Sequence, residues 1–131
     1  MPDLHPYIFS DDARKQAEFY VKALNGEILV LRTFAEMPQA SEEIKDKVMH
    51  LRLKAAGQIL YMCDSVNEPV QRGNGLHLIL EFQTEEEARK AFEGLAQGGQ
   101  VTLPLEKQFW GSMHGMLVDP FGVRWQIATE M

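Results

Sequence analysis

Apolar and polar residues follow two rhythms along this chain, and the same order of rhythms occurs twice. Side chains recur on one face every two residues in a strand and every 3.6 in a helix. A short apolar run from His5 to Phe9 predicts an opening strand. Ala13, Ala17, Tyr20 and Leu24 then recur at helical spacing, with Asp11 or Asp12 in place to cap the helix start. Asn25-Gly26 ends it, because glycine accepts the left-handed conformation a helix terminus often needs. Three strands are predicted next, Glu27–Phe34, Val48–Lys54 and Gln58–Cys63, the last two joined as a hairpin through Ala55-Ala56-Gly57.

The second half repeats this order. Leu76–Phe82 is almost continuously apolar, as a central strand would be. Thr84 with Glu87 three residues on forms a capping box, and Ala88, Phe92 and Leu95 make the buried stripe before Gly98-Gly99. Strands are predicted at Gln100–Leu105, Met113–Val118 and Val123–Ala128. The turn Asp119-Pro120-Phe121-Gly122 carries proline and glycine where a type I turn favours them.

His5 with His77, Tyr20 with Phe92, and Gly26 with Gly98 all match at one offset of 72 residues. Chance could give one such match; three at a single offset point to a duplicated βαβββ module. The expectation is an α+β chain forming one domain over 1–131, with modules 1–66 and 75–131 and a linker at 67–74. Each module has a helix on one sheet face only, so two modules side by side would curve into a sheet lining a cleft.

Composition narrows the function. Charged residues make up 24% and hydrophobic residues 45%, an ordinary globular balance. No apolar run reaches membrane-spanning length, and no basic-then-apolar leader opens the chain. With 13 basic against 19 acidic residues the net charge is −6, and the basic residues are scattered, which argues against nucleic acid. The single cysteine, Cys63, cannot form an internal disulfide, so a cytoplasmic location is expected.

The segments Phe109-Trp110-Gly111 and Met116 to Ile127, containing Asp119-Pro120-Phe121-Gly122-Val123-Arg124-Trp125, together with His5-Pro6-Tyr7-Ile8-Phe9, Ala17-Glu18-Phe19-Tyr20 and Leu24-Asn25-Gly26, resemble a known pattern. It is that of the vicinal oxygen chelate superfamily, the glyoxalase, bleomycin-resistance and extradiol-dioxygenase group. Within it, the chain is similar to small members labelled 3-demethylubiquinone methyltransferase-like. A methyltransferase needs a site for its methyl donor, usually a glycine-rich strand-to-helix turn in a parallel sheet, and the sequence has no such unit.

The resemblance implies metal ligands on the first and last strands of each module. That places His5 and His77 on the opening strands, Gln126 where glutamate is usual, and Tyr61 or a neighbour on the closing strand of module one. Two imidazoles and an amide would leave the charge of Zn²⁺ or Ni²⁺ uncompensated. The competing reading makes His5 an N-terminal side chain and His77 a satisfied histidine among apolar neighbours. His50 and Arg52 share a strand face, and His50 and His114 are the candidate proton-transfer groups. Arg52, Tyr61, Phe109 and Trp110 are the candidate ligand contacts. Trp125 is expected in the core, because its neighbour Gln126 takes the other face. Cys63 reads as a buried filler.

Two functions follow from these readings. One is a small-molecule-binding protein of the bleomycin-resistance type, which holds a ligand without a chemical step. The other is an isomerase, lyase or thiol transferase using a divalent ion as Lewis acid. Open sheet edges, and the paired or exchanged modules the resemblance implies, predict a homodimer.

Overall fold

In the computed structural model, which describes residues 1–130, the chain is divided into two compact units, 1–71 and 72–131. The boundary falls within the stretch 67–74. Both units are α+β, each a four-stranded mixed sheet with one helix.

The first unit contains β1 (Tyr7–Ser10), α1 (Ala13–Ala23), β2 (Glu27–Thr33), β3 (Val48–Ala55) and β4 (Gln58–Asp64), in sheet order β1-β4-β3-β2. Strands β1 and β4 run parallel, and the other pairs are antiparallel. Asp12 caps α1 by accepting from the Lys15 amide, and Ala13, Ala17, Tyr20 and Leu24 are all buried as their spacing predicts. Asp64 ties the unit together, since one carboxylate accepts from the amides of Ala13 and Val48, both at 2.7 Å. The hairpin between β3 and β4 turns through Ala56 and Gly57, both with positive φ.

The second unit contains β5 (Leu78–Phe82), α2 (Glu85–Ala96), β6 (Gln100–Lys107), β7 (Met113–Val118) and β8 (Arg124–Thr129), in order β5-β8-β7-β6. Thr84 caps α2 as expected, its hydroxyl accepting from the Glu87 amide, while the Glu87 carboxylate accepts from that hydroxyl. Asp119 organises the turn before β8. One of its oxygens accepts from the amides of Phe121 and Val123, and the other from the Trp125 indole at 2.9 Å. Trp125 is therefore a core residue, 2% exposed, and the Asp-Pro-Phe-Gly-x-x-Trp run is a folding device.

Several boundaries differ from the sequence expectation. Strands β1 and β5 start at Tyr7 and Leu78, so His5 and His77 stand just ahead of their strands rather than on them. Each is instead held by a backbone carbonyl: His5 Nδ1 donates to Ile59, and His77 Nε2 donates to Asn74, both at 3.2 Å. β2 stops at Thr33, because the chain enters a 3-10 turn at Phe34–Glu36. β6 runs on to Lys107 through Pro104, which an edge strand with a register shift accommodates. The helix-end match also moves by one residue. A Cβ on Gly26 would meet the Lys54 carbonyl at 1.9 Å, and one on Gly99 would meet that of Val118 at 2.2 Å. Gly26 thus corresponds to Gly99, while Gly98, at φ +75°, corresponds to Asn25, at φ +52°.

Among the described residues, no helix is long and apolar enough to cross a membrane.

Candidate functional site

In each unit the helix covers one sheet face, and the residues alternating with the core form the other. On the first unit's open face β1 places Tyr7 and Phe9, β3 places His50 and Arg52, and β4 places Tyr61 and Cys63. Tyr61 is the centre of the group. The His5 ring stacks on it at 4.9 Å with an interplanar angle of 11°, the His50 ring meets it edge-on at 5.5 Å, and the Arg52 guanidinium lies 4.8 Å from its centroid.

Hydrogen bonds give this group a direction. Arg52 Nε donates to His50 Nε2 at 3.2 Å, so that nitrogen presents its lone pair. His50 Nδ1 then carries the proton and donates to the Tyr7 oxygen at 3.3 Å. The Tyr7 hydroxyl in turn meets the Cys63 sulfur. Burial, and then the positive charges of Arg52 and Arg32, lower the His50 pKa and hold the ring neutral. Burial, with Cys63 adding to it, pushes the Tyr7 phenol up to about 12. Burial also raises the Cys63 thiol, so this cysteine is no nucleophile at neutral pH.

The second unit repeats the placement with different chemistry. Gln126, on β8, stands where Tyr61 stands on β4, since each is paired with the strand before it at an equivalent position: Arg52 with Tyr61, Met116 with Gln126. The Gln126 amide nitrogen donates to His77 Nδ1 at 3.1 Å, and its carbonyl accepts from His114 Nε2 at 2.9 Å. The result is a relay, His77–Gln126–His114. Trp110 lies beyond it, edge-on to His114 at 6.3 Å and to Phe109 at 4.8 Å. Phe109 is almost fully exposed.

The chain's four histidines therefore fall into two equivalent pairs, His5 with His50 around Tyr61, and His77 with His114 around Gln126. A residue-by-residue comparison of the halves misses the second member of each pair. The offset is 72 at the opening histidines but 64 between His50 and His114. Tyr7 also escapes the sequence reading, although its alternation with Ile8 in β1 places it on the same face.

The match to a family model fits this duplicated architecture. Residues 4–127 match the Glyoxalase/Bleomycin resistance protein/Dioxygenase superfamily. The chain belongs to that superfamily. Protein YjdN of Escherichia coli (strain K12) is 26% identical over 95% of this chain and 92% of its own length. The structure of protein PA1353 from Pseudomonas aeruginosa is 30% identical over 99% of this chain and 98% of that one, with a TM-score of 0.86. A PhnB protein from Bacillus cereus superposes with a TM-score of 0.81 at 25% identity, over 98% of this chain and 100% of its own.

Superfamily membership raises the question of a metal, to which the donor chemistry of these residues is relevant. Among the described residues, no three His, Cys, Asp or Glu side chains are grouped to hold an ion. Around Tyr61 the nearest strong charge is the Arg52 guanidinium, which repels a cation. Around Gln126 there is, among the described residues, no carboxylate to offset a cation's charge, and the relay already uses the His77 lone pair and the amide oxygen. These residues do not fit a resident divalent ion.

Proposed function

We propose that this protein binds a small molecule on the open faces of its two sheets, through aromatic rings and hydrogen-bonding groups, without a resident metal. The observation that carries the reading is the relay His77–Gln126–His114, in which an amide holds both imidazoles by hydrogen bonds. A divalent ion at such a site would need deprotonated nitrogens and a compensating negative charge. What the relay leaves for a ligand is His114 Nδ1 and the second amide hydrogen of Gln126, and Trp110 and Phe109 add ring surface beside them. Methyl transfer finds no support in either unit, whose mixed four-stranded sheets differ from the parallel sheet and glycine-rich turn that a methyl donor usually occupies. A lone buried thiol at Cys63 suits a reducing compartment such as the cytoplasm.

Substituting the relay's centre tests the reading. Gln126→Glu places a carboxylate between two imidazoles and supplies the missing anionic ligand. Calorimetric titration with Zn²⁺ and with Ni²⁺ should show affinity at least about tenfold higher in the variant than in the unaltered protein, one strong coordinate interaction's worth. Stoichiometric tight binding by the unaltered protein would contradict the proposal.

A further inference from the structure

The geometry points to a ligand class for the first unit: a small aromatic monocarboxylate, its carboxylate on Arg52 and its ring against Tyr7, Phe9 and Tyr61. This deepens the binding reading above and rests on it. Arg52 is exposed on the open face, and none of the four ion pairs among the described residues uses it. Its Nε is engaged by His50, and its plane is held near the Tyr61 ring. Both contacts fix the guanidinium, and neither uses its two terminal amino groups. A fork of parallel N–H donors matches a carboxylate.

Charge and surface then narrow the class. His50 is neutral and Tyr7 stays protonated at neutral pH, so neither adds charge. Arg32, the next cation, is paired with Glu36 at 3.0 Å. One uncommitted guanidinium balances one negative charge, which favours a monoanion over a phosphate dianion. Around it the surface is built of rings. Tyr7 and Phe9 are 46% and 53% exposed, with centroids 5.6 Å apart, and Tyr7 meets Tyr61 edge-on at 6.0 Å. Rings at such spacing favour a planar aromatic body over an aliphatic one.

Benzoate is the minimal probe, with benzamide, cyclohexanecarboxylate and inorganic phosphate as controls. Amide and histidine resonances of the labelled full chain are followed during each titration. Benzoate should shift the signals of Tyr7, His50, Arg52 and Tyr61 and bind more tightly than any control. Arg52→Gln should weaken it by roughly tenfold, as loss of a charge-assisted hydrogen-bond pair does. A variant that keeps its dispersed amide spectrum but binds benzoate equally well overturns the inference, as does equal binding of benzamide. If benzoate shifts nothing while neutral aromatic fragments still shift these residues, the carboxylate assignment falls and the binding reading stands. If no small molecule shifts either open face, both fall.

Discussion

His50 shows how neighbours, rather than residue type, set what a side chain can do here. Placed by β3 between Arg52 and Tyr7, it is desolvated and faces two guanidinium groups, which lower its pKa. Its folded value lies below the unfolded one, so the folded state binds fewer protons on acidification. Stability linked to His50 is therefore present above its ordinary 6.5 and is lost as pH falls through the lowered folded value. Histidine NMR titration should find His50 titrating below 6.5, and Arg52→Gln should move it upward by removing one of the two charges. An unchanged midpoint in that variant would assign the shift to burial and Arg32. The residue scale also marks what could be read in advance. His50 and Arg52 share a face by simple alternation, and Trp125 opposes Gln126 by the same rule. The resemblance grouped His77 with Gln126, and the structure brings them together, but the link from Gln126 to His114, on the neighbouring strand, was not legible.

At the scale of elements, the helix spacing, the capping box and both hairpin turns were legible, because each depends on neighbours within a few residues. Strand ends were not. Pro6 lacks an amide proton, and the shift at Pro104 depends on β6 lying at an edge, which only the sheet order reveals. Close packing between elements was also hidden. A Cβ on Gly115 of β7 would meet Phe92 of α2 at 2.7 Å and the Leu105 backbone of β6 at 2.8 Å. Gly57, in the β3–β4 turn, faces open space but sits at φ +75°. Gly115→Ala should therefore destabilise by about 2–3 kcal/mol through overpacking, and Gly57→Ala by only about 1 kcal/mol through backbone strain. Chemical denaturation of the two variants checks the order. The reverse order would mean that α2 and β7 pack less tightly than the distances imply.

For the whole molecule, duplication explains why two open faces share one plan yet differ in chemistry: aromatic and cationic around Tyr61, amide-bridged around Gln126. β2 lies at the edge of its sheet, with Ile28, Leu29 and Leu31 exposed, and an unpaired apolar edge favours association. Sedimentation at micromolar concentration should give a species of about twice the 14.9 kDa chain mass, and Leu29→Lys with Leu31→Lys should shift it toward the monomer. A species at the chain mass alone would refute the dimer. The account's central claim, that a ligand is held on the open faces without a metal, is tested most directly by one measurement. Amide resonances are mapped with a panel of small aromatic compounds, in the presence and absence of a chelator. The predicted shifts gather at His50, Arg52, Tyr61, His114 and Gln126 and are the same with chelator present. Shifts confined to the helix-covered faces, or lost when the chelator is added, would contradict it.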